Sequence, residues 1–344
     1  MTTRAFITGV SGLVLTADEL AFLRAEKPWG FILFKRNIDN PAQVSELVRQ
    51  LRDAVGDADA PVLIDQEGGR VQRLGPPHWP LYPPGAVFGT LYDTDSQAGL
   101  RAAWLSSRLI AADLSGLGIT VDCLPLADVP VAGADAVIGN RAYGTSPDKV
   151  AAIARAVTDG LAHGGVLPVL KHIPGHGRAT ADSHHRLPVV DTARAELERT
   201  DFAAFQPLAD LAMAMTAHVV FSALDPAQPA TTSATMIAQV IRGAIGFQGL
   251  LMSDDVSMNA LQGTIAERTR AAFAAGCDVV LHCNGNMDEM RQVAAQTPLL
   301  GQNAAARARA EQAKAARKPP QPFDRVAGRS ELDDLVARAG SLSV

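Results

Sequence analysis

Eight short, nearly continuous apolar runs recur along the 344 residues, and most are followed by a segment of helical periodicity. The runs are Ala5–Val10, Gly30–Phe34, Pro61–Asp65, Ile119–Leu124, Val166–His172, Ala212–His218, Leu250–Asp254 and Asp278–Cys283. Unbroken apolarity over so few residues is the mark of parallel strands covered on both faces. Helical patterns fall at Ala17–Lys27, Ala42–Val55, Gln97–Leu117, Asp148–His163, Arg194–Leu211, Ser233–Ile245 and Ile265–Ala275. Asp39-Asn40-Pro41 and Thr145-Ser146-Pro147 read as helix starts, and Gly246 and Gly276 as helix ends. The alternation predicts a single-domain α/β fold, a (β/α)8 barrel of the TIM type. A doubly wound open sheet is the alternative, but no G-x-G-x-x-G follows an early strand. The barrel is expected over residues 1–298. After Pro298 the chain turns rich in Ala, Arg and Gln, so residues 299–344 are expected to form a C-terminal appendage, helical or partly loose.

Composition narrows the function classes. Apolar residues make up 47% and charged residues 19%, enough for a large core and against wholesale disorder. A net charge of -5 with no basic block argues against a nucleic-acid partner. The N-terminus has one early Arg and an apolar stretch broken by Thr and Gly, which does not read as a secretory signal. No apolar run reaches membrane-spanning length. A cytoplasmic protein without a membrane partner is expected, acting as a monomer. Cys123, Cys277 and Cys283 lack metal-type spacing and read as reduced, buried thiols.

In such a barrel the working residues lie at the C-terminal ends of strands and in the loops that follow. Polar residues collect there: Asp65 after the third run, Lys171 and His172 at the fifth, His218 at the sixth, and Ser253, Asp254 and Asp255 at the seventh. One charged strand end is usually a solvated cap, whereas four on one rim point to a site. The connections Arg70–Asp95 and Ile173–Asp191 are longer than structural loops need to be. Lys171-His172-Ile173-Pro174-Gly175-His176-Gly177 fixes a tight backbone around one Lys and two His. Asp182 lies two residues before His184, a spacing that in extended chain puts both side chains on one side. There the carboxylate could orient the imidazole. Asp254 could serve as nucleophile, metal ligand or structural acceptor, and only one of Asp254 and Asp255 should face a site.

These segments carry a resemblance. Asp65-Gln-Glu-Gly-Gly-Arg-Val-Gln-Arg73, Gly139-Asn-Arg-Ala-Tyr143, Lys171-His-Ile-Pro-Gly-His-Gly177, Asp182-Ser-His184 and Ser253-Asp-Asp-Val-Ser-Met258 resemble the signatures of glycoside hydrolase family 3. They are most similar to its bacterial single-domain β-N-acetylhexosaminidases of the cell-wall-recycling type. The resemblance runs in order from the first strand to about Asn284. It departs at Ile173, where Phe is common, and at Asn140, where Glu is common. It implies an exo-acting, retaining β-N-acetylglucosaminidase that removes terminal N-acetylglucosamine from peptidoglycan-derived muropeptides, with no metal and no cofactor. It also implies roles: Asp254 as nucleophile, His184 as acid/base with Asp182 as its partner, and Asp65, Arg73, Arg141, Lys171 and His172 as sugar-binding residues. His185 beside His184 leaves two candidates for the acid/base, and the Asp-Ser-His spacing favours His184.

Three rivals remain at this stage. A metal-dependent barrel hydrolase could draw on His172, His176, His184, His185, His218 and Asp254, but no His-x-His closes the first strand. A catalytically silent sugar-binding protein could share the barrel, since fold does not guarantee activity. A β-glucosidase or glycoside phosphorylase could use the same site.

Overall fold

The computed structural model describes residues 3–179, 181, 183 and 186–342. The eight apolar runs all form strands: β1 Arg4–Thr8, β2 Pro28–Leu33, β3 Val62–Ile64, β4 Val121–Asp122, β5 in two pieces at Leu167–Pro168 and Leu170–Ile173, β6 Met213–Thr216, β7 Leu250–Asp255 and β8 Val279–His282. Every neighbouring pair is parallel. The first piece of β5 pairs with β4 (Val121 with Leu167), and the second pairs with β6 (Ala214 with Leu170). One strand thus joins both ends of the sheet, and the barrel closes.

Strand alternation explains why the runs read as continuously apolar. Ala5, Ile7, Leu63, Val121, Cys123, Leu167, Val169, Met213, Met215, Leu250, Met252, Val279 and Leu281 pack together inside the barrel. Their neighbours Phe6, Phe31, Val62, Leu170, Ala214, Leu251 and Val280 join the core shared with the helices. Both faces are dry, so no polar residue marks the two-residue period.

Helices α1 Ala17–Glu26, α2 Pro41–Val55, α3 Gly85–Thr94, α4 Ser96–Gly116 and α5 Pro147–His163 are capped largely as their sequences suggest. Asn40 accepts the Gln43 N–H at the start of α2 with Pro41 in its first turn, and α2 buries Val44, Leu47, Val48 and Leu51 on one stripe. Two regions differ from the sequence pattern. The stretch 194–211 is a short helix, α6 Arg194–Arg199, followed by single 3-10 turns at Phe202–Ala204 and Gln206–Leu208, the second holding Pro207 in its first turn. Residues Met236–Ala244 form a wide, π-type helix. The remaining helices are α7 Ile265–Ala275, α8 Met287–Gln296, α9 Ala304–Ala316 and α10 Arg325–Leu342. None of the helices among the described residues is long and apolar enough to cross a membrane.

Helix α3 is an addition within the long connection after β3, and its glycines explain its place. A Cβ at Gly85 would collide with the Arg141 carbonyl, and one at Gly89 with the Tyr143 carbonyl. Bare glycines let α3 press against residues 141–143 and so set where Arg141 projects.

After Pro298 the chain stays on the barrel. Ala306, Ala310 and Ala313, spaced to share one face, join the interior cluster. Small side chains let α9 lie close across the N-terminal mouth. Asp278, just before β8, accepts from Arg309 of α9 at 2.9 Å, from Arg242 at 2.8 Å and from the Leu251 N–H at 2.9 Å. Helix α10 buries Leu332, Leu335 and Ala339, with ion pairs Arg101–Glu331 and Arg325–Asp113.

Candidate active site

Extending the inward-facing set by two residues at the C-terminal ends of three strands reaches the site. Leu63 leads to Asp65, Val169 to Lys171 and Met252 to Asp254. All three line a cavity of about 280 Å³ at the C-terminal mouth, floored by Ile32, Met215 and Leu281. The alternation that buries Met252 therefore aims Asp254 at the cavity.

Asp255 is the other parity, and its carboxylate is occupied by the backbone. It accepts from Ser257 N at 3.0 Å, Ser257 Oγ at 2.6 Å and Cys283 N at 3.2 Å. Its carbonyl accepts from His218 Nε2 at 2.9 Å. His218 Nδ1 lies 2.7 Å from Thr231 Oγ1, so this imidazole is spent on structure. Asp254 Oδ1 accepts the Asp255 N–H at 2.8 Å.

One wall is a charged relay. Lys171, only 2% exposed, reaches Asp65 at 3.0 Å and Glu67 at 2.6 Å. Arg73 meets the other Asp65 oxygen at 3.0 Å, and Arg141 holds Glu67 with two bonds of 2.8 Å. Burial works to raise the Asp65 pKa, but Lys171 and Arg73 outweigh it and hold the carboxyl below the usual range. The same contest, won by Lys171 and Arg141, keeps Glu67 ionised. Burial lowers the Lys171 pKa, yet Glu67 and Asp65 overcome it and leave the ammonium more tightly protonated than a free lysine. Beneath them Asp122 is pushed well up by burial. Its Oδ1 accepts the Gln66 N–H at 3.0 Å, and its Oδ2 has no partner among the described residues.

A second wall is built on Asp128. Its Oδ2 lies 2.7 Å from His172 Nδ1, while its Oδ1 accepts the N–H of His176 at 2.7 Å and of His172 at 3.3 Å. Burial works to raise its pKa, and the His172 and His176 imidazoles outweigh that to leave it at about 2. The peptides Lys171–His172 and Ile173–Pro174 are cis.

The structure brings Asp65, Arg73, Arg141, Lys171, His172 and Asp254 to one cavity. Asp182 and His184, and with them His185, lie outside the described residues. Sequence reasoning had not singled out Glu67, Asp128 or the pairing of His176 with Ser183. Glu67 stands inside the Asp65–Arg73 motif. Asp128 was signalled only by a lone charge closing the apolar run Leu124-Pro125-Leu126-Ala127. The three cysteines are unpaired. Among the described residues no group of three or more His, Cys, Asp or Glu is placed to hold a metal ion.

A closed (β/α)8 barrel whose charged side chains converge on its C-terminal mouth is an enzyme scaffold. Comparison with known proteins makes the class specific. Residues 15–313 match the model of the glycosyl hydrolase family 3 N-terminal domain. A β-hexosaminidase of Chromobacterium violaceum is 37% identical over 334 residues, which cover 94% of this chain and 87% of the relative. A β-hexosaminidase of Bordetella avium is 38% identical over 281 residues, 80% of this chain and 79% of the relative. Among solved structures, NagZ from Neisseria gonorrhoeae in complex with N-trifluoroacetyl-D-glucosamine superposes with a TM-score of 0.84 at 32% identity, covering 100% of this chain and 99% of that one. The chain belongs to glycoside hydrolase family 3 and is a glycoside hydrolase.

Proposed function

We propose that the chain is an exo-acting, retaining β-N-acetylglucosaminidase of cell-wall recycling. Its proposed substrates are N-acetylglucosaminyl-anhydro-muramyl peptides, cleaved in the cytoplasm by a monomer. The observation that supports the reading best is Asp254 at the end of β7, facing a cavity whose opposite wall is lined with hydrogen-bonding groups. The cavity lies at the small end of ligand sites, which suits one sugar ring more than an extended chain. The names of the two relatives and the sugar bound to the gonococcal protein favour an N-acetylhexosamine in that position.

In this reading Asp65 accepts from sugar hydroxyls, while Lys171, Arg73, Arg141 and His172 hold the ring. Asp254 attacks C1, forming a C1–O bond to its carboxylate as the bond to the leaving oxygen breaks. The imidazolium of His184, oriented by Asp182, gives its proton to the departing oxygen. The neutral imidazole then takes a proton from water, the water oxygen bonds to C1, and the Asp254 ester cleaves. Two inversions retain the β configuration. An imidazole suits a group that must be acid and then base near neutral pH.

Asp254→Ala is the decisive variant. With 4-nitrophenyl N-acetyl-β-glucosaminide its kcat should fall by ~10^4 or more, with the melting temperature preserved. Ordinary turnover by a folded Asp254→Ala protein would refute the assignment.

A further inference from the structure

Asp128 is fully buried, and the chain delivers it to the cavity wall by pairing the segment before it with β5. The Ala127 N–H donates to the Lys171 carbonyl at 2.7 Å, and the Lys171 N–H donates to the Pro125 carbonyl at 3.0 Å, so Asp128 comes level with His172. Its two oxygens then divide their work. Oδ1 accepts from the backbone, from His176 N at 2.7 Å and His172 N at 3.3 Å, while Oδ2 lies 2.7 Å from His172 Nδ1. Burial works to raise the Asp128 pKa, but the adjacent His172 and His176 hold it at about 2, so the carboxylate has no proton to give. An ionised carboxylate only accepts, and the proton between the pair therefore belongs to Nδ1. His172 is 8% exposed and lines the cavity, and Nε2 is the ring nitrogen left for a ligand.

We propose that Asp128 is a positioning residue that pins His172 with its proton on Nδ1, so that Nε2 meets the sugar as a bare acceptor and selects a hydroxyl able to donate. The inference rests on the reading of the cavity as an N-acetylglucosamine site. The two nitrogens of a neutral imidazole are distinct, and the partner of one decides what the other offers. Lys171, Arg73 and Arg141 can only donate, so the same cavity is rich in donors and His172 joins Asp65 as an acceptor. A buried acceptor left facing a group that cannot donate is costly, and a site built to receive a hydroxyl proton rejects an analogue that lacks it. Asp128 itself touches no reacting atom.

Asp128→Asn is the informative variant because the backbone dictates how the new amide sits. The His176 and His172 N–H groups keep its oxygen where Oδ1 was, and its NH2 takes the place of Oδ2 and donates to Nδ1. The proton on His172 moves to Nε2 while the shape of the site is kept. Nitrogen-15 NMR of the unliganded protein should find the His172 proton on Nδ1 in the parent and on Nε2 in Asp128→Asn. A proton on Nε2 in the parent, from the other tautomer or from a charged ring, overturns the proposal whether or not the variant folds. The kinetic arm compares 4-nitrophenyl N-acetyl-β-glucosaminide with its 3-, 4- and 6-deoxyfluoro analogues, since fluorine cannot donate. The parent should lose about thirtyfold or more in kcat/KM for the analogue altered at the hydroxyl that faces Nε2. Asp128→Asn should cost the unaltered substrate about tenfold and shrink the fluorine penalty at that one position by about tenfold, with the other penalties kept. The inductive effect of fluorine is common to both proteins and cancels in the comparison. An equal loss on all four substrates marks Asp128 as a merely structural carboxylate and overturns the proposal. A folded parent that hydrolyses none of the four removes the N-acetylglucosaminidase reading and the sugar contact with it, and the NMR result alone then decides the tautomer.

Discussion

The two mouths of the barrel are built from the same eight strands and solve opposite problems. At the N-terminal floor, an alanine face of α9 lies on an apolar plug, and the main buried charge, Asp278, is fully matched by Arg242, Arg309 and a backbone N–H. At the C-terminal rim, Asp65, Glu67, Lys171 and Arg141 crowd one wall around an open cavity, and Asp254 faces them. Burying ions is costly even when they are paired. On the proposed function, the rim accepts that cost because a water-poor, rigid set of charges would bind and polarise a sugar better than mobile solvated groups. The floor is organised for packing, with Ala306, Ala310 and Ala313 on the interior cluster. Packing and chemistry are thus separable along a single strand: Met252 serves the core, and Asp254, two residues on, faces the cavity.

The contrast can be broken by experiment. Beyond Asp254→Ala, the largest effect is expected at Lys171. Lys171→Met leaves two buried carboxylates with only their guanidinium partners. Turnover efficiency should fall about 10^2- to 10^3-fold, and stability should drop by about 3 kcal/mol. If kcat/KM is unchanged in the folded variant, the wall is structural and the rim is no different in kind from the floor. Next comes Asp278→Ala, which strands two arginines at the floor. Denaturant unfolding should show a loss of about 3 kcal/mol with kcat within about twofold of the parent. A large drop in kcat for protein still folded would show that the floor reaches the chemistry.

The smallest effect concerns pH. His176 is faced by His172, Asp128 and Asp254, with Ser183 at its Nε2, and titrates at about 4 in the folded protein. An unfolded histidine titrates near ~6.5, so the unfolded chain takes up the proton first. The stability held by the neutral ring is complete above that value and is lost as pH falls toward 4, amounting to about 3 kcal/mol at most. His176→Phe should flatten unfolding stability between pH 6.5 and 4 relative to the parent, whereas Asp278→Ala should leave that slope as it was. An unchanged slope in His176→Phe would mean that the acid sensitivity does not arise on this wall.

Much of the barrel was legible before any coordinates. The eight runs became eight strands because short, doubly covered strands leave an apolar signature that local reading detects. The helix expected over 194–211 runs too far because the apolar residues continue past Thr200, where the α-helical backbone ends. Helix α3 was missed because its helical face contains Gly85 and Gly89, which look like breakers until the segment they press against is known. At the rim, residue types and their strand ends were readable; the expectation that only one of Asp254 and Asp255 faces the site was not met in full, since both border the cavity, though the Asp255 carboxylate is held by Ser257 and the Cys283 N–H.

Sequence alone determined the period of the elements, the number of strands and the kinds of charged groups that end them, since these follow from local alternation and composition. Tertiary structure alone decided which groups meet. Lys171 and Asp65 are 106 residues apart, Arg141 and Glu67 are 74 apart, and His172 and Asp128 are 44 apart. Those contacts exist only because β5 pairs on both sides and shuts the barrel, bringing strand ends from across the chain to one mouth. Closure likewise turned an Ala-rich C-terminal stretch into a floor, because a helix with small side chains is what fits across a mouth already filled by the strands' own side chains.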